Sequence, residues 1–483
     1  MRSEISELTP EMLWKHFYAL TRIPRPSGHE AAVIEHVRQF AVEKKLDHVI
    51  DDAGNIIIRK DPSEGMERKK KIVLQAHVDM VPQKNTDKQH DFTKDPIETI
   101  IEGDWVKADK TTLGADNGIG VAAALAVLGS QNIKHGPIEV LLTVSEETGM
   151  DGAFGLSADI LQSEILFNLD SEEEGEIFMG CAGGIDVDVD WQYRKEEIKD
   201  ARTFSVQLKG LKGGHSGIDI HLGRANANKV LSQLLLILQK ECEACISDYQ
   251  GGDMRNAIPR EANVLLTVPE VKEGLLLRTI DKYRQTVLSK FCDTDPGLTL
   301  TVSEAKPVNE VMNREDQNQI VNALNACENG VMKMSEIIPG IVQTSTNLSI
   351  VNIGKGKAKA QLLLRSSDDK EKSRLAEQMK GLFNLSGAEV KLSGEYPGWQ
   401  PNADSIALAR AKSAYLDLYG KESEVKVIHA GLECGIIGGK YPEMDMISFG
   451  PTIQFPHSPD EKVDIPSVER FWKFLIRLLE VID

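Results

Sequence analysis

The chain has 483 residues, 41% apolar and 27% charged. That balance excludes a disordered, collagenous or disulfide-scaffold protein and leaves room for about two to four domains. With 56 Lys and Arg against 74 Asp and Glu, the net charge is −18, so the surface repels phosphate backbones and anionic lipid, and neither a nucleic acid nor a membrane is expected as a partner. Along the chain, Glu30 to Lys44 carries apolar residues at helical spacing and predicts an amphipathic helix. Asp47 to Asp51 and Ile56 to Arg59, separated by Asp52-Ala53-Gly54-Asn55, predict a hairpin. Ile72 to Leu74, Ile138 to Val144 and Ile165 to Leu169 predict buried strands, and the alanine-rich Ile119 to Leu128 predicts a buried helix.

From about Trp191 the pattern changes. Tyr193 to Arg202 is charged and reads as a connection. Strand and helix signals then alternate twice over: strands near Thr203–Leu208, Asn263–Val268, Leu298–Val302, Gln361–Leu364 and Glu389–Leu392, and helices near Asn226–Lys240, Lys272–Leu288, Arg314–Ala326 and Lys370–Leu385. The first style returns after Tyr396-Pro397-Gly398, with a helix Ser405–Leu418, strands Val425–Ile428 and Met444–Phe449, and a final helix Pro466–Val481. The expectation is an α/β domain, a mixed sheet flanked by helices, formed by residues 1–192 and 397–483. An inserted α+β domain of two similar halves is expected over 193–396. Six cysteines make no disulfide framework. Met1–Pro10 is too polar for a secretory leader, and no apolar run approaches the roughly 20 residues that span a bilayer. A cytoplasmic setting is expected.

Buried strands of an α/β sheet present functional groups at their C-terminal ends. Here those ends run into His77-Val78-Asp79, Ser145-Glu146-Glu147 and Asp170, while Asp116 lies between glycines before the buried helix. Singly, each has an ordinary explanation: a hydrogen-bonded histidine, a solvated acidic face, a helix N-cap. Together, several charges at the ends of buried runs would be costly unless a cation joins them. The pair Cys242 and Cys245 has no second pair and reads as structural, and Glu172-Glu173-Glu174 reads as a solvated turn.

Longer motifs add a resemblance. Ile23 to Glu30, Gln75 to Met80, Leu113 to Gly120, Ser145 to Gly152, Asn168 to Glu173, Cys181 to Gly184, Gly213 to Gly217 and Phe449 to Val463 resemble, in this order and nearly end to end, the di-zinc metallopeptidase family that includes aminoacylase-like and glutamate-carboxypeptidase-like enzymes. Within it the pattern is most similar to the dipeptidases that release a C-terminal histidine. The resemblance implies two Zn²⁺ per chain, with Co²⁺ or Mn²⁺ as substitutes. It assigns His77 and Asp170 to one cation, Glu147 and His457 to the other, and Asp116 to both. It makes Asp79 the carboxylate that steadies His77, and Glu146 the general base toward a hydroxide bridging the cations. Three carboxylates and that hydroxide balance the four positive charges. It implies that His215 steadies the oxyanion, and that Asn256, Arg365 and Gly431 contact the substrate, Arg365 through its bidentate fork. Without the family, His215 reads as a loop histidine, and Arg365 equally well as a surface charge at a strand end.

The function so implied is hydrolysis of Xaa-His and related dipeptides. An amidohydrolase of the same fold acting on N-acyl amino acids is the alternative, and a non-catalytic metal-dependent binding protein is the alternative from another class. A complete ligand set together with Glu146 argues against the last, because a binder has no use for a proton shuttle. A small peptide is the expected partner, a homodimer is compatible with the family, and a doubled lid could supply His215 and Arg365 to its own chain.

Overall fold

A computed structural model describes residues 4–482. They form two compact units. One comprises the chain through Cys181 with Trp399–Val427 and the residues from Leu432 onward; the other comprises Ala182–Gly398 with Ile428–Gly431.

The first unit opens with helices α1 (Glu11–Thr21) and α2 (Ala31–Glu43). The hairpin β1 (Asp47–Ile50) and β2 (Ile56–Lys60) follows, then β3 (Ile72–His77), helix α3 (Ala115–Gly129), β4 (Ile138–Thr143), β5 (Ile165–Asn168) and β6 (Glu176–Cys181). The apolar runs predicted as strands are strands, and β3, β4 and β5 are buried along their whole length. Helix α3, apolar all round, is buried from Ala115 to Leu128, as a helix without a polar face must be.

The second unit carries β7 (Gly183–Gln192), β8 (Ala201–Lys209), α4 (Ala227–Glu241), β9 (Cys245–Gly251), β10 (Ala262–Pro269), α5 (Glu273–Lys290), β11 (Thr299–Glu304), α6 (Arg314–Ala326), β12 (Gly330–Met334), β13 (Val342–Gly354), β14 (Lys357–Ser366), α7 (Asp369–Leu385) and β15 (Glu389–Tyr396). Its two halves share a single sheet, in the order β11-β8-β10-β9-β13-β14-β7-β15 with β12 added on β13. The junction is the antiparallel pairing of Tyr249–Gly251 with Val351–Ile353. Strand β7 buries Ile185, Val187, Val189 and Trp191 and turns Asp186, Asp188 and Asp190 outward, the alternation of a sheet covered on one face. Placed in the outer domain from sequence, β7 pairs on both sides within this sheet. The charged stretch read as a plain connection contains a short strand, Lys195–Glu197, paired with Glu310–Met312.

The chain then returns to the first unit through α8 (Ile406–Tyr419), β16 (Glu424–Ile428), α9 (Glu433–Lys440), β17 (Asp445–Ser448) and α10 (Ile465–Val481). The eight strands run β1-β2-β4-β3-β5-β17-β6-β16. Strands β4, β3, β5 and β17 are parallel neighbours, so their C-terminal ends open on the same edge of the sheet, where open α/β sheets place their ligands.

Candidate metal centre

His77 is the last residue of β3, Glu146 and Glu147 follow β4 after a turn, and Asp170 lies two residues beyond β5. The turn after β4 places Ser145 at φ +53, a conformation uncommon for a residue with a Cβ and held here by its surroundings. Glu30 accepts hydrogen bonds from the Ser145 amide (3.0 Å) and hydroxyl (2.9 Å). Asp116 lies at the kink that opens α3 (φ −78, ψ 112), and its carboxylate, rather than capping the helix, faces the histidines.

Asp116 gives one oxygen to each side. Oδ1 lies 3.0 Å from His77 Nε2, and Oδ2 lies 3.3 Å from His457 Nε2. Asp170 Oδ1 is 3.3 Å from His77 Nε2, and Glu147 Oε2 is 2.9 Å from His457 Nε2. Two trios result, His77–Asp116–Asp170 and Asp116–Glu147–His457, each with donor atoms within 4.8 Å of one another. All five residues expected as ligands are brought together. A further grouping of His77, Glu146 and Glu147 puts Glu146 beside the pair without placing it in either trio. His457, at φ +59, reaches the cluster from the loop before α10.

Asp79 does more than face His77, whose Nδ1 lies 3.3 Å from its Oδ1. It accepts the Glu146 amide (3.1 Å) on Oδ1, and the Glu147 amide (3.2 Å) and Ser27 hydroxyl (2.8 Å) on Oδ2. One buried carboxylate thus fixes the backbone of two acids and orients one imidazole. Burial raises its pKa, but the His77 ring beside it and the bonds from Ser27 and the Glu146 amide prevail and hold it at about 2.

These residues fit a cation. Glu147 Oε1 and Asp170 Oδ1 are buried without a hydrogen-bond partner among the described residues, and the donor set mixes imidazole nitrogen with carboxylate oxygen, as zinc sites do. Burial pushes the Glu146 carboxyl well above its ordinary value, with Asp170, Glu433 and Glu147 adding to the effect and His77 opposing it. Burial likewise raises Glu172 to about 8. The acidic run after Asp170 is a turn with Glu173 exposed, as expected, but Glu172 and Glu174 are half-buried, and Glu174 accepts from Tyr415 Oη (2.6 Å) and Arg470 Nε (2.8 Å).

Glu433 is a member of the site that sequence reasoning missed. It is fully buried in α9, and its Oε2 accepts from Gln75 Nε2 (2.5 Å) and Thr143 Oγ1 (2.8 Å). Gln75 Oε1 in turn accepts from Asn168, and Asn168 Oδ1 from Ser448. This polar chain crosses β4, β3, β5 and β17 just below the ligands. Its only sequence signal is a set of single polar residues inside otherwise apolar strands.

The second unit gathers its own group. Gly214–His215 pairs antiparallel with Ala257–Ile258. His215 Nδ1 accepts the amides of Gly217 (3.1 Å) and Ile218 (3.0 Å). Burial, helped by Arg365, lowers the His215 pKa to about 4, so near neutral pH the ring is uncharged and carries its proton on Nε2. Arg365 is a buried residue of β14, not a surface charge. It donates to Tyr396 Oη (2.7 Å), and its Nε has no hydrogen-bond partner among the described residues. Asn256 accepts the Ser216 amide on its backbone oxygen (2.8 Å), and Gly431 ends the short segment that joins this unit. His429, missed from sequence, shares a 2.7 Å hydrogen bond with Ser345 through Nε2. Burial, with Arg365 and His215 nearby, drops its pKa to about 3. The cysteine pair Cys242 and Cys245 is buried and free.

Residues 73–481 match the pattern of peptidase family M20/M25/M40. The chain belongs to that family. It is 46% identical over 481 residues to the cytosol non-specific dipeptidase of Escherichia coli (strain K12), covering 99% of both chains. It superposes on the aminoacylhistidine dipeptidase of Vibrio alginolyticus with a TM-score of 0.96 at 47% identity, covering 100% of this chain and 98% of that one. A tripeptidase of Staphylococcus aureus, at 16% identity and a TM-score of 0.56 over 98% of this chain and 99% of its own, shares the fold. The chain is accordingly a peptide hydrolase of a metal-dependent family, and the convergent acids and imidazoles of the first unit are its candidate metal centre.

Proposed function

We propose that this chain is a di-zinc dipeptidase that hydrolyses Xaa-His and related dipeptides. The observation that carries the reading is Asp116, whose two oxygens serve two separate trios, as a ligand common to two cations must. Bound there, Zn²⁺ would lower the pKa of water toward neutrality and polarise the scissile carbonyl. His77 and Asp170 would hold one cation, Glu147 and His457 the other, with Co²⁺ or Mn²⁺ as substitutes. The remaining work falls to the chain. Asp79 fixes His77 and the backbone of Glu146 and Glu147. Glu146 takes the proton of the attacking water and passes it to the leaving amine. His215, neutral with a proton on Nε2, is suited to donate to the developing oxyanion without introducing a charge. Arg365 would pair with the substrate's carboxylate, with Asn256 and Gly431 as further contacts.

The names of the two full-length relatives support a dipeptide substrate, and the Vibrio enzyme's name supports the histidine preference. We also place the protein in the cytoplasm, in keeping with the name of its Escherichia coli relative. No helix among the described residues is long and apolar enough to cross a membrane.

The test is to strip the metal, reconstitute with Zn²⁺, Mn²⁺ or Co²⁺, and assay Xaa-His dipeptides, other dipeptides, tripeptides and N-acetyl amino acids. Turnover should vanish with the metal, return with it, and be highest on dipeptides. Faster cleavage of N-acetyl amino acids would replace the dipeptidase reading with an amidohydrolase.

His215→Ala should lose activity while keeping its metal, because His215 belongs to neither trio. Mixing this variant with inactive Glu146→Gln, under conditions that exchange any subunits, should restore nothing if each chain uses its own His215. Recovered activity would show that the histidine acts on a partner's site.

A further inference from the structure

Glu461 stands between Asp460 and Lys462, a charged stretch that reads as a solvated loop, yet it is only 1% exposed. Its carboxylate accepts four consecutive backbone amides. Leu113 (2.7 Å) and Gly114 (3.0 Å) donate to Oε2, and Ala115 (2.8 Å) and Asp116 (3.3 Å) donate to Oε1. The turn that carries Asp116 is wrapped around this one side chain, which follows His457 by four residues.

A cation grips the same turn through its carbonyl side. Arg25, 2% exposed, donates to Gly114 O (2.5 Å), Val78 O (2.7 Å) and Asp79 O (3.0 Å). Gly114 sits at φ +71, and a Cβ there would lie 2.6 Å from Arg25 Nη2 and 2.8 Å from Met80 Sδ, so only glycine lets the turn pass between the two charges. Arg25 and Glu461 therefore tie residues 78–79, which follow His77, to the turn 113–116 and to Glu461, four residues after His457.

Locally the turn is closed by a long bond from the Gly118 amide to Gly114 O (3.2 Å), which leaves the amides of residues 113–116 unused. Asp116 and Asn117 have non-helical angles, so the amides before them have no helical partner, and a buried amide without an acceptor is costly. Asp116, Glu147 and Asp170 also repel one another. A carboxylate accepting charge-assisted bonds from all four amides satisfies the first need, and Arg25, drawn electrostatically to Glu461, Asp79, Asp116 and Glu147, opposes the second.

We propose that Glu461, opposed by Arg25, is a positioning residue that sets Asp116 and His457 in place before any cation binds. This rests on those two residues being ligands. The clamp acts on metal affinity and metal geometry rather than on substrate binding.

Two measurements test it. In metal-free wild-type protein, hydrogen exchange should already find the amides of residues 113–116 protected; protection appearing only after Co²⁺ is added would overturn the proposal. Glu461→Gln keeps the shape but must turn an NH₂ toward two amide donors. Folded by circular dichroism, this variant should bind Co²⁺ about 10–100-fold more weakly at one site or both and show an altered cobalt absorption band. At saturating Co²⁺, kcat should fall with little change in KM. Native cobalt affinity and an unchanged band would overturn the proposal. Should this variant not fold, the exchange measurement decides alone. An Asp116→Ala protein measured alongside separates the two readings: loss of metal there, with native binding in Glu461→Gln, rejects the clamp and leaves the ligand assignment standing.

Discussion

Asp116→Ala should lose both of the proposed cations and with them all measurable turnover. Its carboxylate is the one group with an oxygen in each trio, 3.0 Å from His77 and 3.3 Å from His457, so removing it takes a ligand from both positions. It also leaves two like charges without the anion between them. Altering a group that merely supports a ligand already costs about 10–100-fold in metal affinity, and loss of a shared ligand should exceed that at both sites. The check is metal content after dialysis against a weak chelator, together with Co²⁺ titration. Two cations per chain held at native affinity would remove Asp116 from the bridging role. The fold should survive, because Glu461 holds the surrounding turn through backbone amides that the substitution leaves in place.

Glu146→Gln separates chemistry from metal binding. Glu146 lies beside the ligands but in neither Asp116-containing trio, and its backbone amide is already fixed on Asp79. The substituted protein should retain its full metal complement and lose about 10²–10⁴-fold in kcat, the usual contribution of a positioned general acid–base group, equivalent to about 3–5.5 kcal/mol of barrier. KM should change little, since a proton shuttle acts in the transition state more than in ground-state binding. Metal content and rate are read on one preparation. Near-normal turnover with full metal would mean that the proton is carried by another group, and loss of metal would mean that Glu146 is itself a ligand.

Much of the catalytic unit was legible from residues alone. Runs such as Ile72–Leu74 and Ile138–Val144 are apolar without alternation because both faces of a parallel sheet are covered, and the structure buries β3 and β4 completely. Acids and a histidine at the ends of such runs stand out for the same reason, so four of the five expected ligands could be picked out by position. The fifth, His457, lies in an exposed loop with no local feature to mark it, and it entered through family resemblance.

Tertiary structure decided the rest. Strand β13 was missed because Gln343, Thr344, Ser345, Thr346 and Asn347 show no apolar period; several of their polar groups find partners elsewhere in the fold, as in the Thr344–Ser366 and Asn347–Ala257 bonds. Glu433, Glu461 and His429 look in sequence like ordinary surface residues. Whether a carboxylate is solvated or buried depends on donors that arrive from elsewhere in the chain. For Glu461 these are four amides more than 340 residues away; for Glu433 they are side chains of two neighbouring strands. Hydrophobic pattern is a property of neighbours along the chain and therefore specifies strands and helices, whereas the satisfaction of a buried charge is a property of neighbours in space, fixed only once the sheet has assembled.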